Sequence, residues 1–497
     1  MKKGIISLCA VAALATTSFA SADVMKQLEA LKAQIAALEA QIKTQNEKSV
    51  KIEDGLKLQE EKIVKVEKKV ETTNKTVNQV KAHDAGDNIK WDVDFRTQAD
   101  SVSYKLGNGQ KLQNDGILSN RLWLNMKFQA DENSSFFGTL AYNKLYGDNL
   151  AGEGANNNMS HFDWVTNESA TNDNSIKVKE AFWLYANDTF LGTDIPWTAS
   201  VGRRPSTDGL GINFREDQER KSALSHTVNV EFDGASLRYD LDKVTGINGM
   251  WVKFCMGRGL TNAKLRFDSN NSPAFTKDET KTENIDMAGV IFVPYDDGQY
   301  SVHTNYAKAW NLIGNKNADF GTGQQGTFYD FGDIELATIM FKTEGIGNDI
   351  SDFLDDTTAF VSGAMSKTNP TGTERMLGSN NSETGHSYLI GINMPDVFTD
   401  KARFGIEWNQ GSKYWRSMTY GEDTMAGSKI AARGTAWEIY RHQKLTSALS
   451  FTLRYTLIDY DYTGSNGFFG EEGTPNAIGA TDVSEAQNIT ANIRYRF

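Results

Sequence analysis

The final stretch of the chain, residues 485–497, constrains the possible folds more than any other. Counted back from the C-terminus as far as residue 488, every second residue is apolar or aromatic, and the residues between them are polar. Because side chains alternate between the two faces of a β-strand, this pattern predicts a strand with one apolar and one polar face. The stretch is long enough to cross a bilayer, which takes about 9–11 residues of strand. It fits either a half-buried strand of a soluble sheet or a membrane-spanning strand.

The composition excludes several classes of protein. With 497 residues, a mean hydropathy of −0.49 and 39 % hydrophobic residues, the chain is too polar to be a bundle of membrane helices. A membrane β-barrel remains possible, because only alternate residues of each strand face lipid. The formal net charge of −12 argues against nucleic acid as a partner, because phosphate binding requires a basic surface.

Residues 1–22 have the pattern of a secretory signal peptide. Lys2 and Lys3 precede a short apolar run, and the small residues 20–22 (ASA) provide a cleavage site. Removal of this segment leaves Cys255 as the only cysteine, so no disulfide within the chain is expected. The histidines are far apart, and no nucleophile motif or P-loop is present. We therefore predict no metal site, no cofactor and no enzymatic activity.

Residues 23–82 have a heptad pattern typical of a coiled coil. Starting from Leu28 and Leu31, twelve of the sixteen a and d positions are apolar, and Lys and Glu fill the other faces. The alternative is an amphipathic helix that packs on a globular core. A coiled-coil helix buries its apolar seam only by self-association, and the mixture of Leu and Ile does not decide between two and three strands. Residues 83–88 (HDAGDN) form a predicted polar linker.

From residue 89 onward, period-two alternation recurs in sixteen segments. Long gaps between these segments alternate with short ones, and the long gaps lie near 105–116, 147–174, 205–234, 259–282, 311–330, 369–384, 411–431 and 463–484. Outer-membrane barrels have short periplasmic turns and long external loops. We therefore predict an all-β antiparallel transmembrane barrel of about 16 strands over residues 89–497, preceded by the periplasmic coiled coil.

Strand alternation also predicts which side chains face the lumen. The charged residues expected on the pore wall are Asp94, Arg96, Arg121, Arg238, Lys253, Arg454 and Arg494. An alternative is that these charges only solvate a water-filled lumen and pair with each other.

The longest gap, 205–234, is unusually charged and follows the fifth strand. Together with the end of that strand it provides the candidate constriction residues Arg203, Arg204, Asp208, Arg215, Glu216, Asp217, Glu219 and Arg220. If this segment folds into the barrel, its acids and the wall arginines would set a transverse field that determines ion selectivity. Two alternatives remain: an ordinary external loop, or a tight hairpin turn at Asp233 and Gly234.

Several motifs are similar to those of a known family. They are DFRTQADSVSYK (94–105), SNRLWLNMKF (119–128), KEAFWLY (179–185), GRRPST (202–207), RED (215–217), NVEFDGASL (229–237) and KFCMGRGL (253–260). The chain resembles an uncharacterised family of proteobacterial outer-membrane, porin-like proteins, domain of unknown function 3373. The resemblance implies a barrel in outer-membrane lipid and no established substrate. The last strand resembles the closing strand of such barrels, whose terminal aromatic residues, here Tyr495 and Phe497, are read by the barrel assembly machinery.

These observations predict an outer-membrane porin that passes small hydrophilic solutes or ions passively through a charged constriction. Analogy with porins of three-fold symmetry favours a homotrimer over a dimer. A structural alternative is a plugged barrel that serves as an anchor, with the coiled coil binding periplasmic partners. A third is a secreted soluble β-protein that acts as a binding module.

Overall fold

The computed structural model describes residues 89–147, 176–204, 206–221, 223–264, 273–279, 282–316, 327–347, 350–371 and 374–497. It also describes a few exposed helical positions, namely Glu29, Ala33, Ala36, Ala37, Ala40 and Lys43. These positions belong to the outer faces of the predicted heptad. The apolar seam of the coiled coil, the signal peptide and the linker lie outside the described residues, so they remain predictions. The chain divides into two compact units, Met1–Asp87 and Asn88–Phe497.

The second unit is a closed antiparallel barrel in which each strand pairs with its neighbours in sequence and β1 pairs with β16. The strands are β1 Ile89–Leu106, β2 Lys111–Gln129, β3 Ser134–Leu145, β4 Lys177–Asn187, β5 Trp197–Arg204, β6 Phe232–Asp240, β7 Trp251–Leu260, β8 Ile285–Asp296, β9 Tyr300–Lys316, β10 Thr327–Glu344, β11 Thr358–Pro370, β12 Thr384–Pro395, β13 Ala402–Gly411, β14 Gly434–Lys444, β15 Leu449–Tyr460 and β16 Val483–Arg496. Short helices Asp242–Thr245 and Asp352–Asp355 lie in the turns after β6 and β10. The predicted fold class and the count of sixteen strands are confirmed.

The closing seam of the barrel joins the first and last strands over thirteen residue pairs, from Asp94↔Arg496 to Leu106↔Val483. Phe497 extends this seam, since its backbone N–H donates to the carbonyl of Val93 and its carbonyl accepts from the N–H of Val93. The alternation predicted for residues 485–497 therefore describes a strand that is paired on both edges, with β15 and β1.

The apolar and polar faces of the wall are arranged as in a membrane barrel. Along β1 the polar side chains of Asp94, Arg96 and Gln98 are at most 5 % exposed, because they point into the barrel. On the outer face, Trp91 is 55 % and Ile489 is 50 % exposed. A surface that is apolar outside and polar inside fits lipid contact around an enclosed polar lumen. Among the described residues, no helix is both long and apolar enough to cross a membrane.

Two expectations about connections were wrong. The β1–β2 connection spans only residues 107–110 rather than 105–116. The polar residues from Lys111 onward still form backbone pairs with β1, so both strands extend past the part whose outer face is apolar. Asp233 and Gly234 do not form a hairpin turn. They pair with Arg203 and Gly202 inside the β5–β6 ladder, since the chain reaches β6 only after the long connection has ended.

Candidate functional site in the lumen

The described part of the connection between β5 and β6, residues 206–221 and 223–231, lies inside the barrel and is here called the inner loop. Most of its side chains are buried, and they contact wall strands on several sides of the lumen. Thr227 bonds Thr338 of β10, and Glu231 accepts from Lys179 of β4 at 2.5 Å. Asp217 pairs with Arg496 of β16. These partners lie on widely separated strands of the wall, so the loop crosses the lumen rather than extending into solvent.

His226 fixes the middle of the inner loop to the wall. Its imidazole nitrogens lie 2.8 Å from the hydroxyl of Ser362 on β11 and 2.9 Å from the hydroxyl of Ser387 on β12. Burial lowers the pKa of His226 to about 3, so its ring is neutral at ordinary pH. A neutral ring that bonds two hydroxyls makes this contact insensitive to pH over the usual range.

A second connection also enters the lumen, between β13 and β14. This second inner segment, residues 412–433, runs beside the inner loop, and the backbone N–H of Asn229 donates to the carbonyl of Met418 at 2.7 Å. Its side chains Trp415, Met418 and Ile430 are fully buried. Arg433 ties the segment to the β15–β16 connection by donating to the carbonyls of Thr463 and Gly473. The lumen is therefore narrowed by two segments.

Apolar clusters hold both segments against one side of the wall. One cluster joins the two inner segments to β10, β11 and β12 and consists of Leu210, Ile212, Leu224, Met340, Phe360, Leu389 and Ile430. A larger cluster joins them to β8–β10 and to Phe468 and Phe469 of the β15–β16 connection. Apolar burial of this kind stabilises a fixed position of the segments, at roughly 25 cal/mol for each Å² removed from water.

A buried ion-pair network attaches both segments to the opposite side of the wall. Arg215 of the inner loop lies 2.5 Å from Glu422 of the second segment and 3.5 Å from Glu438 of β14. Glu216 lies 2.7 Å from Arg454 of β15. Among the described residues, the network contains the cations Arg96, Arg121, Arg215, Lys429, Arg454 and Arg494 and the anions Asp94, Glu216, Glu407, Glu422, Asp423 and Glu438. This described part has six members of each sign.

Asp423 shows how strongly this network favours its charged state. Its carboxylate lies 2.5 Å from Arg96 and 3.4 Å from Arg121. Burial alone would raise the pKa of Asp423, but the two guanidinium groups, with Arg454, lower it well below its usual range. The second inner segment is thus held to β1 and β2 by a carboxylate whose charged form the neighbouring guanidinium groups stabilise.

Two cavities remain on the β5–β9 side of the lumen, between the wall and the inner loop. One, of about 220 Å³, is lined by Arg220, Lys221, Arg238, Lys253 and His303 together with Leu210, Ala223, Leu224, Trp251 and Ile291. A second, of about 60 Å³, shares Lys253, Ala223 and Ile291 with it and adds Arg204. We call these two cavities the cationic passage, because neither has an Asp or Glu among its described lining residues.

Aromatic rings support two of the arginines of the passage. The guanidinium of Arg204 lies 4.4 Å from the ring centre of Phe182, and that of Arg238 lies 4.3 Å from the ring centre of Trp251. Arg238 also donates two hydrogen bonds to Asp240. Stacking on a flat ring restricts a guanidinium group to a plane, so the charge is held at the wall.

The predicted site residues therefore separate into two groups. Arg215, Glu216, Asp94, Arg96, Arg121, Arg454 and Arg494 belong to the buried network, whereas Arg204, Arg220, Arg238 and Lys253 line the passage. The others lie apart from both: Asp208 is buried within the inner loop, Asp217 pairs with Arg496, Glu219 is exposed, and Arg203 bonds Glu231. Among the acids of the loop, Glu216 and Asp217 thus face Arg454 of β15 and Arg496 of β16, whereas Glu231 pairs with Arg203 as expected.

Sequence reasoning missed every contribution of the second inner segment. Glu422, Asp423 and Lys429 lie in a gap that reads as an external loop. Trp415, Met418 and Ile430 could have indicated burial, because large apolar residues are unusual in a connection that is exposed to solvent. Among the described residues, no group of three His, Cys, Asp or Glu side chains is placed to hold a metal ion.

A family model described as protein of unknown function (DUF3373) matches residues 111–497. The chain belongs to this family. The match starts within β2 and covers the rest of the barrel, including both inner segments. No curated protein sequence matches the chain.

Solved structures with a similar architecture are outer-membrane proteins. OmpT of Vibrio cholerae is 12 % identical with a TM-score of 0.41, over 82 % of this chain and 98 % of OmpT. OprB of Pseudomonas putida is 10 % identical with a TM-score of 0.46, over 84 % and 96 %. An anion-selective porin from Comamonas acidovorans is 10 % identical with a TM-score of 0.43, over 82 % and 99 %. Similarities of this size carry no information about what the present barrel transports.

Proposed function

We propose that this DUF3373 protein is a passive channel of the outer membrane for small hydrophilic solutes or ions. The observation that carries the proposal is the polar cavity of about 220 Å³ between the inner loop and the β5–β9 side of the wall. Arg220, Lys221, Arg238, Lys253 and His303 line this cavity, and polar groups of this kind favour its occupation by water. The constriction is formed by the inner loop with Arg220 and Lys221, and no cofactor or enzymatic step is involved.

The proposed orientation follows from the connections. Most connections at one end of the barrel are long and most at the other are short, and in outer-membrane barrels these are the external and periplasmic ends. The N-terminal coiled coil would then lie in the periplasm and hold a homotrimer together. The barrel assembly machinery would recognise the last strand through Tyr495 and Phe497, which lie on its outward, lipid-facing side.

A plugged anchor is the second candidate, and a specific observation favours it. The larger apolar cluster in the lumen joins both inner segments to Phe468 and Phe469, which are fully buried. An apolar filling of this kind excludes water from the β8–β12 side. The two candidates differ in one property, because only the channel has a continuous aqueous path beside the filling.

Planar-bilayer recording of the purified full-length protein separates the two candidates. We expect ohmic, stepwise conductance that is small for a barrel of sixteen strands, because the two inner segments occupy much of the lumen. Neutral polymers of increasing size should stop altering the conductance once they are too large to enter the constriction. Absence of steps from protein that keeps the heat-modifiable gel mobility of a folded barrel would leave only the anchor.

A further inference from the structure

We propose that two turns at the short-turn end of the barrel are lipid anchors, whose apolar tips insert into the membrane leaflet at that end. They are the β4–β5 turn, residues 188–196, and the β12–β13 turn, residues 396–401. The inference goes beyond the proposed function, since it requires a barrel in a bilayer but no conduction through the lumen. The proposed orientation makes the leaflet concerned the periplasmic one.

The tips of both turns present large apolar side chains to their surroundings. Leu191 and Phe398 are each 89 % exposed, and Val397 is 75 % exposed. Turns that lie in water consist mainly of Gly, Pro, Asn, Asp and Ser. Because contact of large apolar groups with water is unfavourable, these tips favour an apolar phase over solvent.

The backbone of Leu191 supports a role for its side chain. Leu191 has a left-handed conformation with φ of 49°, and Gly192 follows with φ of 80°. Phe190 and Thr193 exchange two backbone hydrogen bonds across this pair, at 3.1 and 2.9 Å. Asn, Asp or Gly usually occupies the first position of such a turn, because a larger residue is strained there. Leucine is therefore both strained and exposed, which turn formation alone does not explain.

The β4–β5 turn lies against the lipid-facing side of the wall. The ring of Phe190 packs on Trp197 and Tyr239, with 5.8 and 4.9 Å between ring centres. Trp197 pairs with Tyr239 in the β5–β6 ladder and shares the outer face of β5 with the exposed Val201. Trp and Tyr rings on the outer face of a barrel mark the boundary between lipid and water. The turn thus lies at this boundary, and Leu191 is at its tip.

The β12–β13 turn is also fixed to the outer side of the wall. The carboxylate of Asp396 accepts from the backbone N–H groups of Phe398 and Thr399 at 2.8 and 3.2 Å. The same carboxylate accepts from the guanidinium of Arg441 at 2.6 Å. Arg441 lies on the outer face of β14, in line with the exposed Trp437. Phe398 is therefore held beside the surface that contacts lipid.

The two turns lie on opposite sides of the barrel. Strands β5 to β12 separate them in one direction and strands β13 to β4 in the other, which is eight strands each way. A protein that docks on one side of the barrel would reach only one turn, whereas lipid surrounds the barrel and reaches both. Interfacial anchors determine how a membrane-spanning segment tilts, so two opposed anchors fix the tilt and depth of the barrel.

Quenching of a fluorescent label tests the insertion on the full-length protein in phosphatidylcholine vesicles. Leu191→Cys and Phe398→Cys, each combined with Cys255→Ser, carry the label NBD at the turn tips. We expect lipid with a nitroxide near its headgroup to quench both labels roughly threefold more than a label in a polar turn, because inserted side chains lie about 5–10 Å into the headgroup–acyl boundary. Iodide on both sides of the membrane should quench in the reverse order.

Glu132→Cys is the matched control, because Glu132 is exposed in the polar β2–β3 turn at the same end of the barrel. The affinity of the label for lipid is the same at every position, so a difference reports the turn. Val397→Cys replaces either tip variant that lacks the heat-modifiable gel mobility of a folded barrel.

Tip labels that iodide quenches as strongly as the control label would overturn the proposal, because the tips would then lie in water. Tip labels protected from both quenchers would also overturn it, because a second copy of the chain would cover them. Neither outcome depends on conductance, so the channel is tested separately.

Discussion

Arg215 shows how far individual side chains depend on the infolded arrangement. It is about 2 % exposed and faces three carboxylates, those of Glu216, Glu422 and Glu438. Its partners come from its own loop, from the second inner segment and from β14, so one side chain neutralises charge on three parts of the structure. A charge pair buried in this way contributes little when intact, but breaking it is costly.

Replacement of Arg215 by glutamine should destabilise the barrel strongly. Glu422 and Glu438 would remain buried without their main counter-ion, and loss of one partner from a buried ion pair typically costs about 3–5 kcal/mol. The expected result is a lower urea concentration at the midpoint of unfolding, followed by loss of heat-modifiable gel mobility.

The control for this change is Lys243→Gln in the β6–β7 turn. Lys243 pairs with Asp194 at 2.8 Å, but both side chains are about half exposed or more. Exposed ion pairs contribute little to stability, so the unfolding midpoint should hardly move. If both variants unfolded at the same urea concentration, the buried network would not stabilise the fold.

At the scale of the element, glycines on the inner face of the wall make room for aromatic rings of neighbouring strands. Gly405 of β13 lies directly across from Tyr440, and Gly391 of β12 across from Phe360. In each case a methyl group added to the glycine would overlap the ring. On the inner face, glycine thus occupies positions that the aromatic ring of the neighbouring strand covers.

Gly405→Ala should therefore displace the ring of Tyr440 and its hydrogen bond from Asn393. Overpacking of a filled site typically costs about 1–3 kcal/mol, measurable as a lower temperature of the gel-mobility transition. Gly363→Ala is the control, since a methyl group there meets no atom within 4 Å. Equal transition temperatures for the two variants would show that the ring adjusts without cost.

Sequence patterns predicted the strands of the barrel better than the positions of the two inner segments in the lumen. Alternation with period two locates the strands, since one face meets lipid and the other water, and residues 488–497 fit this rule. The inner segments have no such periodicity, because their contacts are set by the shape of the lumen. The pairing of Asp423 with Arg96 joins residues 327 positions apart, and no local pattern encodes it.

At the scale of the whole molecule, the sequence predicts that the N-terminal segment joins several chains. In the full-length protein, Ile35→Asp at a seam position should abolish chemically cross-linked oligomers, because a charge in a coiled-coil seam has no apolar partner. Ala36→Asp is the matched control, because Ala36 is helical and exposed. Oligomers that survive Ile35→Asp would assign association to the barrel instead.

The inner loop has a consequence for how the molecule is made. Its anchoring residues lie on strands from both ends of the sheet: Glu180 on β4, Arg454 on β15 and Arg494, which donates to the carbonyl of Glu216, on β16. The last of these strands is the one that seals the cylinder. Strands β15 and β16 are the last to be synthesised, so the loop can reach its final contacts only after the C-terminal part of the chain is present.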